Sequence, residues 1–307
     1  MADPEIIVLG SINMDLVVHG QRIPRPGETV VGGEFRQLAG GKGANQAVAA
    51  ARLGQSPVML LAALGDDPLA RSLRDNLAAE NICSEQVLEI PGSSSGVAAI
   101  LVDAKGENCI SVAPGANALI RPDHLEQLPS SAWQQATIFL ASLEVPVETV
   151  ARGLELARQH GLLTILNPAP ASQLTDDQEL LSELDVITPN ALEAEQLSGL
   201  PVGSQQQAIE AGRQIQQRGP ATVIITLGSQ GAVLVGETEQ LFAARTVQAI
   251  DSTAAGDCFN GALAVRLAEG DSIDAAVAFA NKAASICVTR HGAGPSLPGR
   301  QDLAALE

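Results

Sequence analysis

The segment Asp251-Ser-Thr-Ala-Ala-Gly-Asp257-Cys-Phe-Asn-Gly261 sets small residues, a glycine and an acidic residue immediately ahead of a helical pattern. From Cys258 to Leu267 apolar residues recur at helical spacing. Small residues at a helix start leave its first N–H groups uncovered. Those orphan donors, with the positive end of the helix dipole, make a site for an anion. Asp257 then has two readings: it caps the helix and complements the dipole, or it is a general base beside a bound phosphate.

Other polar residues fall where strands end and helices begin. Ala39-Gly-Gly-Lys-Gly-Ala-Asn45 is not a P-loop, because the required first glycine falls on Arg36 and Gly43 replaces the Ser or Thr after the lysine. It remains a glycine-rich turn that admits a ligand closely, with Lys42 and Asn45 as donors. Asn13 and Asp15, two residues apart after the first strand, share one face and suit a polyol, or form an Asx-type turn. Glu144 stands similarly after another strand. Asn190 and Glu193 open a helix; Asn190 is its N-cap, or the pair orders waters around magnesium. Thr226-Leu-Gly-Ser-Gln-Gly231 reads as a strand and a glycine turn suited to nucleotide phosphates or ribose.

Two patterns carry no chemistry. Gly92-Ser-Ser-Ser-Gly96 matches the nucleophile elbow only as a string, since a strand rather than a helix follows it. His19, His124, His160 and His291 share no metal-ligand spacing, which predicts surface or capping roles.

Strand patterns run over 6–10, 58–64, 137–143, 163–167, 186–188, 223–227 and 232–235. Helical patterns run over 44–53, 68–80, 147–160, 204–218, 257–268 and 273–288. This alternation predicts a mostly parallel sheet covered by helices on both faces, with ligands beyond the carboxyl ends of the strands. Residues 15–37 and 96–111 break the rhythm as hairpin-like strands with turns at Pro26-Gly27, Gly32-Gly33 and Lys105-Gly106. They are expected to pair as a small β-sheet lid, which could also support a dimer.

At 307 residues, 46% hydrophobic and 17% charged, the chain is that of a compact soluble protein. A net charge of −17 argues against a nucleic-acid surface. Four scattered cysteines without a C-x-x-C pair read as reduced thiols of a cytoplasmic protein. MADPEIIVLG lacks a basic n-region, and no run of about 18 apolar residues follows, so neither signal peptide nor membrane span is expected. With no tyrosine, one tryptophan and five phenylalanines, the chain is poor in rings that could clamp a flat acceptor. The lid offers only Phe35.

Taken together, Gly10–Asp15, Pro26-Gly-Glu-Thr29, Gly40–Asn45, Asn167-Pro-Ala-Pro170, Asn190–Glu193, Thr226–Gly231, Asp251–Gly261 and Thr289-Arg-His-Gly-Ala-Gly-Pro-Ser296 resemble the ribokinase-like family of carbohydrate kinases. The resemblance covers essentially the whole chain, and no motif position departs from it. It implies a single domain over 1–307 with a three-layer α/β/α fold and a lid, often shared across a homodimer. It implies transfer of phosphate from Mg-ATP to the 5-hydroxyl of D-ribose, with deoxyribose, fructose or a related sugar as alternative acceptors. A nucleoside acceptor fits less well, and a sugar-binding regulator would have lost Asp257. The resemblance makes Asp257 the catalytic base and Ala254, Ala255 and Gly256 the anion hole. Asn13, Asp15, Gly41, Lys42, Asn45 and Glu144 would line the sugar site. Thr226, Gly228, Gly231 and Asn281 would border the nucleotide, beside Gly256, with Asn190 and Glu193 organising magnesium and phosphate. Asp251, Thr253, Cys287, Arg290, Gly292 and Ser296 would surround a monovalent cation, K+, several through backbone carbonyls.

Overall fold

The run Ile6–Leu9 forms a strand whose four side chains are all buried, as expected when helices cover both faces of its sheet. The structure is a computed structural model describing residues 5–174 and 178–305. The opening residues read for a targeting signal fall partly on 1–4, outside the described residues. In chain order the elements begin with β1 (Ile6–Leu9), β2 (Asn13–His19), β3 (Glu34–Gly40), α1 (Lys42–Leu53), β4 (Val58–Gly65), α2 (Pro68–Ala78), β5 (Ile82–Cys83), β6 (Val87–Ile90), β7 (Gly96–Val102) and β8 (Asn108–Ala113). Next come α3 (Pro122–Glu126), α4 (Ser130–Gln135), β9 (Ile138–Ser142), α5 (Val147–Gln159), β10 (Leu163–Asn167), α6 (Gln178–Ser182), β11 (Val186–Ile187), α7 (Ala191–Ser198) and α8 (Gln205–Gln216). The chain closes with β12 (Thr222–Thr226), β13 (Ala232–Val235), β14 (Glu239–Phe242), α9 (Ala255–Ala268), α10 (Ile273–Cys287) and α11 (Arg300–Ala304).

The main sheet has ten strands in the order β14-β13-β12-β11-β10-β9-β1-β4-β5, with β6 also paired to β4. It is parallel except where β13 runs antiparallel to β12 and β14. Alternate residues of a strand face opposite ways. Ile6 and Val8 therefore belong to the same buried cluster as Ala47 of α1, Leu263 of α9 and Val277 of α10, while Ile7 and Leu9 belong to the cluster on the other face, with Leu154 of α5, Ile215 of α8 and Trp133. The result is the expected three-layer α/β/α arrangement. Among the described residues, no helix is long and apolar enough to cross a membrane.

The two irregular segments do pair. They make a separate four-stranded sheet, β3-β2-β7-β8, with β2 parallel to β7 and the outer pairs antiparallel. Asp15 pairs with Leu38 and Ala98, and Ala98 with Val112, so these residues share one face. Phe35 pairs with Val18, three positions along β2 from Asp15, and so lies on the other face. The ring considered for stacking an acceptor is therefore turned away from the Asp15 face.

Two helix starts differ from the sequence expectation by two residues. α1 begins at Lys42 rather than 44, and α9 at Ala255 rather than 257. Both first turns are made of small and polar residues, so the apolar period starts after the backbone has already turned helical. The expectation also omitted β5, β6, β14 and the short α3, α4, α6 and α11, which are too brief to show a period.

Candidate active site

From β1 the sheet is extended one way by β4 and the other way by β9. The chain reaches these neighbours by separate connections, which makes the carboxyl ends of β1 and β9 a switch point and the natural crevice for a ligand. Gly41, at φ 93°, is the N-cap of α1. A Cβ on Gly43 would come within 2.5 Å of Gly10 C, so the first turn of α1 sits directly on the end of β1. Glu144, just past β9, ties these pieces together. Its Oε2 accepts from Ser11 Oγ at 2.5 Å and from Lys42 N at 3.3 Å, and its Oε1 lies 3.7 Å from Lys42 Nζ.

Asn13 and Asp15 are both buried on the same face of β2. Asn13 Oδ1 accepts from Asn117 Nδ2 at 2.8 Å, and Asn117 also exchanges hydrogen bonds of 3.0 Å with the backbone of Ile12. Burial pushes the Asp15 carboxyl up to about 7, with Glu144 and Asp257 adding to the effect against the pull of Lys42.

Asp257 lies in the first turn of α9, whose N-cap Ala254 has the left-handed φ of 60°. That conformation costs a non-glycine residue about 1 kcal/mol or more and tends to occur at functional sites. Of the three residues expected to make the anion hole, Ala255 already donates its N–H to Ser252 O at 3.2 Å. Those of Ala254 and Gly256, and that of Asp257 itself, have no backbone partner among the described residues. Asp257 Oδ2 accepts from Asn45 Nδ2 at 3.0 Å and Oδ1 from Gln46 Nε2 at 3.2 Å. Burial raises the Asp257 pKa, with Glu144 adding to it, although Lys42 and the two amides pull it down. A raised carboxyl pKa suits a group that must take up a proton near neutral pH. Burial also works against the charge on Lys42, but Asp257, Glu144 and Glu193 outweigh it and raise its pKa.

Across the cleft, Asn190 caps α7. Its Oδ1 accepts from Glu193 N, and Glu193 Oε2 accepts from Asn190 N, both at 2.9 Å. The capping reading of Asn190 is therefore correct, and it forms a reciprocal capping box. Asn190 also bridges to Thr226, which leads into a turn with Gly228 at φ 56° and Gly231 at φ 103°. Gly231 abuts Phe242 O, and the same oxygen accepts from Asn281 Nδ2 at 2.8 Å. Lys42, Val112, Glu144, Ala169 and Glu193 line a cleft of about 570 Å³. Glu193 keeps one carboxylate oxygen outside its capping bond, and no group of three His, Cys, Asp or Glu residues forms a metal cage among the described residues. This donor set fits a magnesium ion that arrives hydrated on nucleotide phosphates.

Behind the first turn of α9, five of the six residues expected around a monovalent cation, Asp251, Thr253, Cys287, Gly292 and Ser296, are linked by hydrogen bonds. Asp251 Oδ1 accepts from Thr253 N and Oγ1 at 2.9 and 2.6 Å, and Oδ2 accepts from Gly292 N at 2.9 Å. These bonds outweigh burial and hold the Asp251 carboxyl below the usual carboxylate range. Cys287 Sγ lies 3.1 Å from Ser296 Oγ. Arg290 instead turns to Asp302 at 2.9 Å.

Residues 3–300 match the family model for pfkB family carbohydrate kinases. The chain belongs to the pfkB family of carbohydrate kinases. Among its relatives are a ribokinase of Haemophilus influenzae, 40% identical over 97% of this chain and 96% of that one, and a deoxyribokinase of Salmonella typhi, 35% identical over 96% and 95%. Among solved structures, the Arabidopsis thaliana ribokinase complexed with ribose and ATP superposes with a TM-score of 0.89, at 31% identity over 100% of this chain and 99% of that one. In this pfkB kinase, two polar residues at the site were not foreseen from the sequence, Asn117 behind Asn13 and Gln46 against Asp257. Gln46 carried a signal. It stands three, four and seven residues before Ala49, Ala50 and Leu53, on the buried stripe of α1, where a polar residue needs a partner.

Proposed function

We propose that this kinase transfers the γ-phosphoryl group of ATP to the 5-hydroxyl of D-ribose, giving D-ribose 5-phosphate and ADP. The observation that carries this reading is Asp257, a buried carboxylate gripped by two amides in a helical turn with uncovered N–H groups. Each carboxylate oxygen has a second lone pair for the substrate hydroxyl. The O5–P bond forms as the bond from the γ-phosphorus to the bridging oxygen breaks, and the hydroxyl proton passes to Asp257. Such chemistry depends on in-line positioning and on stabilising charge spread over the phosphoryl oxygens. The N–H groups of Ala254 and Gly256 and the ammonium of Lys42 supply fixed positive ends for that charge. Asn13, Asp15, Gly41, Asn45 and Glu144 hold the sugar, while Thr226, Gly228, Gly231 and Asn281 border the nucleotide. Magnesium, held through water by Asn190 and Glu193, would neutralise phosphate charge when bound.

K+ fits the second loop cluster. Carbonyls around Asp251, Thr253, Cys287, Arg290, Gly292 and Ser296 would hold it, and it would act by fixing the turn ahead of Ala254. The single domain and its lid over 15–37 and 96–111 would form a homodimer through the lid, where Val31, Phe35, Ile110 and Val112 are exposed. The four free cysteines suit a reducing cytoplasm. A deoxyribose acceptor is the second reading, favoured by the deoxyribokinase relative.

The experiment is ADP release from Mg-ATP over a sugar panel, with and without K+. Preference for ribose and a loss of rate without K+ are expected. Preference for deoxyribose would move the acceptor to the second reading, and no ADP with any sugar would overturn the kinase assignment.

A further inference from the structure

Asn167 opens the Asn-Pro-Ala-Pro segment, which has no role in the account above, and Gln46 stands in α1 among alanines. Both are buried, Gln46 completely, and both belong to one chain of hydrogen bonds. Gln46 Nε2 donates to Asp257 Oδ1 at 3.2 Å and to Asn167 Oδ1 at 3.1 Å. Asn167 Nδ2 donates to Thr188 O at 3.3 Å. Thr188 Oγ1 donates to Asn260 Oδ1 at 2.6 Å, and Asn260 Nδ2 donates to Gly256 O at 2.8 Å. The chain leaves the carboxylate of Asp257 and returns to the carbonyl one residue before it.

Two observations set this apart from ordinary core pairing. Gln46 Oε1 is buried without a hydrogen-bond partner, a condition that folded cores seldom accept. Turning the amide over would set that oxygen against the oxygens of Asp257 and Asn167, so the two donated bonds fix its orientation. The helices also touch here. A Cβ on Gly261, one turn beyond Asp257, would come within 2.7 Å of Gln46 O. That close approach brings a side chain of α1 under the first turn of α9.

We propose that Gln46, with Asn167, Thr188 and Asn260 behind it, positions the phosphoryl-transfer turn, holding the Asp257 carboxylate in register with the N–H groups beside it. This rests on the reading of Asp257 as the base. Asn45 grips one carboxylate oxygen and Gln46 the other, so loss of Gln46 frees the carboxylate to rotate. It also removes a donor that favours the charged form, which raises the carboxyl pKa. The groups facing Asp257 are Lys42 of α1, Asp15 of β2, Glu144 after β9, Glu193 of α7, Cys287 of α10 and the neighbouring Cys258. A substitution at Gln46 alters none of them.

The test uses Gln46→Met and Thr188→Val in the full chain, with Thr188→Ser as the restoring variant. For Gln46→Met, kcat should fall about tenfold, the scale of one hydrogen bond to a charged group, with KM for ribose and ATP unchanged. The acid limb of the kcat–pH profile should move to higher pH. Thr188→Val should lower kcat less, and Thr188→Ser should restore it. Single-turnover ADP formation then separates positioning of Asp257 from a purely structural role of Gln46. Gln46→Met should have no further effect in an Asp257→Asn background, because the pair acts as one unit. Equal losses in both backgrounds with an unmoved acid limb, or near-normal kcat in Gln46→Met, would overturn the positioning role. Near-normal kcat in Asp257→Asn alone would instead overturn the base.

Discussion

At the base of the lid the carboxylate of Asp15 accepts no hydrogen bond from any described residue, whereas that of Asp257 in the body receives an amide N–H on each oxygen. Both are buried and near enough for the charge of Asp257 to act on Asp15, yet their surroundings prepare them differently. Asp15 is desolvated and pressed by like charges, so its carboxyl rises to about 7. Sugar hydroxyls can provide the donors that its surroundings do not. Asp257 is oriented before substrate arrives, by a helix packed against its own. On the proposed reading, the lid's share of acceptor recognition would lie on a thin sheet with an exposed outer strand, while proton transfer would lie on the closely packed α1–α9 pair.

The largest test of that contrast is Asp257→Asn, which should lower kcat by about 10²–10⁴-fold with little change in ribose KM or in the unfolding midpoint. Steady-state kinetics and denaturant unfolding check both. A large rise in KM would blur the distinction between the two carboxylates. Next comes Asp15→Asn, which should raise ribose KM by about tenfold or more, as expected for a lost bond to a charged group, and change kcat less.

Asp15→Asn should also alter stability, with a sign fixed by the raised pKa. The proton that folded Asp15 retains stabilises the native state most fully below about pH 4, and that contribution is lost as pH rises through about 7. The variant should therefore match the parent in acid and exceed it by about 2–4 kcal/mol near pH 8. Urea midpoints across this range provide the measurement, and a constant difference would contradict the desolvation of Asp15.

Omitting K+ should reduce kcat several-fold without affecting ribose affinity, because the Asp251–Gly292 cluster lies behind the anion turn rather than in the sugar site. A KCl titration of activity and ribose KM would show it. The smallest expected effect compares the two lid faces. Val112→Ala should shift ribose KM by a few-fold, while Phe35→Ala should leave it within about twofold, as surface substitutions generally do.

Much of this contrast was visible in the sequence, but unevenly. Leu163–Asn167 and Ala232–Val235 form strands at their expected bounds, because buried strands read as unbroken apolar runs. Asp257 stood out through the small residues ahead of it, and Asn13 and Asp15 through their two-residue spacing. The starts of α1 and α9 were hidden because their first turns are made of small and polar residues that show no apolar period. β14 was missed because its edge position leaves Glu239 and Gln240 exposed. Asn117 could not be placed, since its partnership with Asn13 spans 104 residues and leaves no local pattern. Phe35 was identifiable as a ring, but the register that turns it away from the Asp15 face follows only from its pairing with Val18.

The most direct test of the central claim is the identity of the product formed from Mg-ATP and D-ribose, followed by phosphorus NMR beside an ADP assay. The account expects one D-ribose 5-phosphate for each ADP. ADP formed without a sugar phosphate, or phosphate carried on another hydroxyl, would contradict it.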